Sequence, residues 1–264
     1  MEFYLNLYLA AGFFLLGAAV GSFLNVVIAR LPQGESIVSP RSRCPKCGTF
    51  IRCYDNIPIL SFLFLRGRCR YCGCRISYRY PFVEFLTACL GLALFLKWGL
   101  TTAFLVYFLF TAAWLAVFWI DLDHMIIPNV ISYPGMVLGL LFSAAGMVPG
   151  ITWQLSLAGL LLGGIILYVP AVIYEKIRKV EGLGGGDIKL LAMMGTVTGP
   201  HGVVFILFAS SLVGSLSGVV GMALRRTDLA ARIPFGPFLV GAAVLYLLAG
   251  DKILNRFFQI SRLL

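Results

Sequence analysis

Charge is scarce in this chain: charged residues make up 12% of it against 60% hydrophobic ones, at a mean hydropathy of +0.93. Ordinary soluble domains are only about half apolar, so that class is excluded and an all-α polytopic membrane protein is expected. A cleavable signal is also missing. The first apolar run, from Phe3 to about Ala29, has no basic segment before it and is too long for a signal core, so it reads as a retained span. No glycine-rich fingerprint opens a strand–helix unit, so spacing alone indicates no cofactor pocket. Nor is a pair of Gly/Pro-broken midplane spans repeated between halves, which weakens a transporter reading in which Asp121 and Asp187 bind ions.

Apolar runs of spanning length, roughly 20 residues each, cover 4–29, 81–97, 101–120, 129–147, 153–174, 202–224 and 234–250. A shorter run, 188–199, reaches only about 18 Å at 1.5 Å per residue and reads as a short span or a re-entrant helix. Three parts follow: a first transmembrane helix at 1–29, a polar loop domain at 30–80, and a transmembrane part at 81–264. The loop holds ten basic residues, Arg30, Arg41, Arg43, Lys46, Arg52, Arg66, Arg68, Arg70, Arg75 and Arg79. That concentration explains the net charge of +10 by membrane topology, with no call for nucleic acid. Basic loops stay inside, so the loop is expected to be cytoplasmic and the N-terminus outside. Alternating the spans from there brings Asp121 and Asp187 to the same, cytoplasmic, boundary.

Within the loop, Cys44-Pro-Lys-Cys47 and Cys69-Arg-Tyr-Cys72 are two Cys-x-x-Cys knuckles separated by 21 residues. Four thiolates at this spacing can close a tetrahedral Zn²⁺ site, and the metal supplies folding energy to a loop too short to build a core. A cytosolic loop is kept reduced, which argues against disulfides. Cys74 could replace one ligand, while Cys53 and Cys89 read as ordinary small, partly buried residues.

Carboxylates beside a span are expensive and point to function. The stretch Glu181-Gly-Leu-Gly184-Gly185-Gly186-Asp187 sets an acid directly after glycines that leave room for another backbone. A second acid stands in Trp119-Ile-Asp121-Leu-Asp123-His124. The alternative makes Asp187 a helix cap and Asp121, Asp123 and His124 polar residues ending a helix. If Asp121 and Asp187 meet, they would share a proton, one serving as general base on a water and the other as general acid toward the leaving amine. Asp123, two residues on, points elsewhere whether the chain is helical or extended.

These motifs together resemble the type IV prepilin peptidase family, the bifunctional leader peptidases and N-methyltransferases of bacterial pilus, type II secretion and competence systems. The likeness runs through Gly21-Ser-Phe-Leu-Asn-Val-Val, Arg30-Leu-Pro32, both knuckles and Asp55-Asn-Ile-Pro-Ile-Leu-Ser61. It continues through Ile76-Ser-Tyr-Arg-Tyr-Pro-Phe-Val-Glu84, Ile120-Asp-Leu-Asp-His, Ile127-Pro-Asn129 and Gly184-Gly-Gly-Asp-Ile-Lys-Leu190. The resemblance implies eight spans in the bacterial inner membrane and an aspartic protease of the Gly-x-Gly-Asp type with Asp121 and Asp187 as its pair. It implies prepilin or pseudopilin substrates cut after a glycine, whose new N-terminal residue, commonly Phe, is methylated with S-adenosylmethionine.

The resemblance alone assigns that second activity, to the zinc-bearing loop and its flanks. Gly21, Ser22, Asn25, Arg30 and Glu84, at the membrane edges of the loop, are the candidates. Helix packing is the alternative for Gly21 and Ser22, and a headgroup anchor for Arg30. Glu84 needs a partner, for which Arg79 and Arg30 are in range of sequence. A polytopic transporter, or an assembly factor whose zinc ribbon docks a secretion ATPase, are the rival readings.

Overall fold

The structure, a computed structural model, describes residues 2–179, 184–223 and 234–261. Glu181 to Leu183, and the basic group Arg225, Arg226 and Arg232, lie outside the described residues. The helices are α1 (Glu2–Arg30), α2 (Leu60–Phe64), α3 (Arg79–Trp98), α4 (Thr102–His124), α5 (Asn129–Ala144), α6 (Trp153–Arg178), α7 (Gly185–Ala223) and α8 (Gly236–Ser261). Among the described residues extended pairing is limited to two isolated bridges, Arg43 with Phe50 and Arg68 with Arg75. Among the described residues five helices are long and apolar enough to cross a membrane, and the helices Asn129–Ala144 and Gly236–Gly250 are apolar but shorter. The chain is a multi-pass, all-α membrane protein, built as two compact units, Met1–Ala116 and Val117–Leu264.

In the first unit α1 lies along α3, and small residues set how close they come. A Cβ at Gly17 would stand 2.7 Å from Ala88 Cα, and one at Gly21 2.6 Å from Glu84 Cα. Gly21 is therefore a packing residue. Farther along α1, Phe13 stacks on Phe95 with ring centroids 4.4 Å apart and meets Phe104 edge-on. Pro32 and Gly34, at φ 71°, end α1 and turn the chain into the polar loop.

The second unit is organised around the first limb of α7, where every residue from Leu190 to Gly199 is buried. Gly159 of α6 and Gly195 of α7 touch backbone to backbone, and a Cβ at Gly163 would lie 2.6 Å from the Leu191 carbonyl. Gly199 breaks the helix at φ 66°, ψ −176°, a conformation suited to glycine, directly before Pro200. The chain doubles back there. A Cβ on Gly195 would fall 2.8 Å from Val203 Cγ2, whereas eight residues of straight helix advance about 12 Å. The short 188–199 run is thus one limb of a hairpin, and counting both limbs of α7 with α1, α3, α4, α5, α6 and α8 agrees with the expected eight.

Pro200 cannot donate the N–H that would reach back to the Thr196 carbonyl. Two hydroxyls do so instead: Ser156 Oγ donates to it at 2.6 Å and Ser143 Oγ at 3.1 Å. In a buried helix pair an unmatched carbonyl costs about 1–3 kcal/mol. The double variant Ser143→Ala/Ser156→Ala is expected to lower the thermal midpoint of the detergent-solubilised protein, with either single variant costing much less. Equal losses in single and double variants would show that the two hydroxyls do not share this acceptor.

Candidate functional site

The two acids singled out in the sequence sit in the second unit. Asp121, near the end of α4, is only 5% exposed, whereas Asp123 and His124 face outward. Helical geometry separates residues two apart, so this division was readable from spacing. Asp121 Oδ2 accepts the backbone N–H of Gly236 at 3.0 Å, at the first residue of α8. Asp187 is half-buried in the first turn of α7, where its N–H donates to the Gly184 carbonyl at 3.1 Å. It is the third residue of the helix, not its cap, in the turn where the helix dipole favours an anion. The two carboxylates are near enough for the charge of Asp121 to act on Asp187.

The glycines before Asp187 divide by surroundings. Neither Gly185 nor Gly186 has a positive φ, so space, not backbone conformation, is what they provide. Gly185 faces open space, and Gly184 faces the Asp187 carboxylate, with 3.4 Å between a built Cβ and Oδ2. Gly186 is different: a Cβ there would meet Ile127 Cβ at 2.9 Å. Next to it Lys189 Nζ donates to Asn129 Oδ1 at 2.9 Å and lies over the Tyr133 ring. The Ile127-Pro-Asn129 and Gly-Gly-Asp-Ile-Lys segments are therefore packed together.

In the first unit, the sulfurs of Cys44, Cys47, Cys69 and Cys72 all lie within 4.8 Å of one another. A tetrahedron with bonds near 2.3 Å has edges of about 3.8 Å, so this set fits a four-thiolate metal site. Cys44 and Cys72 sulfurs are already 3.9 Å apart. Cys74 comes within 3.6 Å of Cys44 but is not one of the four mutually close sulfurs. Each knuckle closes the same way: Gly48 N–H bonds the Cys44 carbonyl and Gly73 N–H the Cys69 carbonyl, with φ of 71° and 67° at the two glycines. The Cys47 N–H is the main reason the Cys44 thiol is held down to about 6. At Cys72 the Cys74 N–H acts in the same direction, but the Cys74 sulfur, desolvation and the Cys47 and Cys69 sulfurs outweigh it and push that thiol up to about 12. Crowded thiols cannot all ionise alone, and a cation among them removes the conflict.

Beside the knuckles lies a cleft of about 1120 Å³ whose lining includes Ser22, Asn25, Arg30 and Glu84. Asn25 Nδ2 donates to the Tyr80 carbonyl at 3.1 Å. Glu84 accepts from the Ile59 N–H at 2.7 Å and from the Ser22 hydroxyl. Arg30, expected as a partner for Glu84, turns instead to the Ser36 carbonyl at 3.0 Å, because the turn after α1 carries that carbonyl back to it. Within the loop Arg70 pairs with Asp55, bonded through two guanidinium nitrogens at 2.6–3.1 Å.

Residues 15–98 match the family described as "Bacterial Peptidase A24 N-terminal domain" and residues 108–219 the "Type IV leader peptidase family". Three curated relatives are each named prepilin leader peptidase/N-methyltransferase. The Pseudomonas aeruginosa protein is 36% identical, over 94% of this chain and 92% of its own. That of Aeromonas hydrophila is 37% identical over 91% and 90%, and that of Bacillus subtilis 35% over 94% and 97%. The chain belongs to the type IV leader peptidase family. No solved structure matches it.

Two contacts, one at Asp121 and one at Glu84, were not legible in the sequence. Gly236 lies 115 residues from the acid it contacts, although its place between Pro234 and Pro237 at the start of an apolar run was a local signal. Ile59 contributes only its N–H, which side-chain chemistry cannot announce.

Proposed function

We propose that this protein cleaves the leader of prepilins or pseudopilins with Asp121 and Asp187 and then N-methylates the new terminus with S-adenosylmethionine. The observation that carries the reading is a buried Asp121 near enough for its charge to act on Asp187, acids 66 positions apart by their numbers, beside glycines open on one side. One carboxylate takes a proton from water as its oxygen attacks the scissile carbonyl, and the other gives a proton to the leaving amine. The backbone at Gly184 and Gly185 pairs with the substrate's extended segment, and Gly186 lets this helix start pack on Ile127. The substrate's apolar helix lies among the spans, with its N-terminal leader at the headgroups.

The four-cysteine set, all sulfur and near-tetrahedral, suits Zn²⁺. We assign methyl transfer to the knuckle loop and its cleft, lined by Ser22, Asn25, Arg30 and Glu84, where the substrate and S-adenosylmethionine would meet, Glu84 on the substrate's side. The cofactor supplies an activated methyl group. The loop lies on the cytoplasmic side of the inner membrane and the N-terminus outside, which puts the loop's basic residues against anionic lipid. The test is to incubate the purified protein with a prepilin carrying its leader and with labelled S-adenosylmethionine. Absence of a leader-length mass loss would sink the peptidase reading, and absence of label on the cleaved product the methyltransferase reading.

Gly236 is a positioning residue in this scheme, since its N–H fixes the Asp121 carboxylate and a Cβ there would stand 2.6 Å from Oδ2. Hydrogen bonds to charged groups are worth about 1.5–3 kcal/mol. Gly236→Ala is expected to lower kcat for cleavage by on the order of 10–100-fold with KM nearly constant. A change in KM alone would place Gly236 in substrate binding instead.

A further inference from the structure

Glu84 is costly where it stands. It is 8% exposed, in the second turn of α3, against Gly21 of α1. Its hydrogen bonds come from the Ile59 N–H and the Ser22 hydroxyl, and neither brings a charge. The amide oxygen of a glutamine would accept both without burying an anion, so bonding within the protein does not account for a carboxylate.

The backbone is also strained toward it. Ile59, a β-branched residue, sits at φ 62°, ψ −51°, and Leu60 N–H closes a three-residue turn onto the Pro58 carbonyl at 2.6 Å. This is the rare, positive-φ form of the γ-turn. Strain of this kind gathers at ligand sites, and Ile59, Ser22 and Glu84 all line the cleft.

We propose that Glu84 binds the α-ammonium of the substrate's newly exposed N-terminal residue and takes its proton. The inference rests on the methyl-transfer reading of this cleft. A peptide amine and S-adenosylmethionine are both cationic, but depth separates them. Glu84 stands on a helix apolar enough to cross a membrane and faces α1, the level reached by an amine whose following residues are embedded. A soluble adenosyl compound meets the outer wall, lined by Arg43, Arg70, Arg75 and Tyr71.

The chemistry balances. The ammonium gives one proton to the carboxylate, which frees the nitrogen lone pair. Nitrogen then bonds the methyl carbon as the carbon–sulfur bond breaks, with its electron pair left on sulfur. The products are a secondary ammonium and a neutral thioether, and Glu84 returns its proton to water in the cleft.

The test uses the full chain in detergent and a fluorescent peptide bearing the mature N-terminus of a type IV pilin, with a free or an N-acetylated amine, at neutral pH and without cofactor. Wild type is expected to bind the free amine about tenfold more tightly. Glu84→Gln should bind both forms alike, Glu84→Asp should keep part of the preference, and both variants should bind S-adenosylmethionine within about twofold of wild type. Wild type without an amine preference overturns the proposal, whatever the variants do. So does Glu84→Gln with the preference intact, or with its loss transferred to S-adenosylmethionine. Failure of wild type to methylate the cleaved peptide overturns the underlying reading, and a methylating wild type without amine preference overturns this role of Glu84 alone.

Discussion

Asp121→Asn or Asp187→Asn is expected to lower prepilin cleavage by on the order of 10³-fold, the scale of losing a positioned acid or base. Asparagine keeps the shape of the side chain and can still accept the Gly236 N–H through its amide oxygen, so the loss would be one of proton transfer and not of folding. The two substitutions should not add, because the acids act as a unit on one water and one leaving group. Asp123→Asn, at an outward-facing position of the same helix end, should leave cleavage within about twofold, as for surface substitutions away from a site. Single-turnover conversion of a purified prepilin, followed by the mass of the product, measures all three. Methylation of an already cleaved pilin peptide should survive in every one of them. Normal cleavage by either Asp121→Asn or Asp187→Asn would end the two-carboxylate scheme, and full activity of both with loss in Asp123→Asn would move the acid by two residues.

The two candidate acids stood out because charge is so scarce that a carboxylate beside an apolar run is conspicuous, and because the basic loop gave an expected orientation for the spans. Its closeness in space needed the fold. Nothing in the sequence states that the first limb of α7 is wrapped by its neighbours, or that Gly199 and Pro200 reverse the chain there. The 188–199 run was ambiguous for a physical reason: hydropathy measures length and composition, while a hairpin of two limbs depends on one backbone conformation. Gly186 shows the same limit. A glycine run suggests room, but which neighbour uses that room, the protein's own Ile127 or a substrate, is a matter of packing.

Names of relatives favour the peptidase over a transporter or a docking factor, yet the residues of the first unit illustrate why function there reads poorly from sequence. The knuckles are local and their spacing dictates their geometry. The cleft is not local. Ser22, Ile59 and Glu84 come from α1, the loop and α3, and one of the three contributes through its main chain. Arg30 bonds the Ser36 carbonyl and not Glu84, whose donor is the N–H of a strained turn that no side-chain pattern encodes.

Cys44→Ser, Cys72→Ser or thorough chelation is expected to abolish methyl transfer while lowering leader cleavage no more than about threefold, a modest loss on the scale of structural substitutions. Among residues 31–78 only Cys44, Ser61 and Gly67 are buried, so this segment has no apolar core to fall back on. A structural zinc contributes about 10–16 kcal/mol to such small folds, far more than the knuckle hydrogen bonds can replace. Loss of the metal should therefore release the loop as a unit, visible as new protease cuts between 31 and 78 in a chain whose α6 and α7 stay protected. Acid should act in the same direction. The Cys44 thiol is lowered from 9.0 to about 6, chiefly by the Cys47 N–H, so ionisation favours the folded knuckle fully above the ordinary value and ceases to do so as pH falls through about 6. Metal uptake by the stripped protein, measured by elemental analysis after desalting, should accordingly weaken over that same interval. The knuckles belong to the first unit, so cleavage by the proposed Asp121 and Asp187 is expected not to follow them. Equal loss of both activities in a variant that keeps its protease pattern would show that the metal serves the peptidase as well.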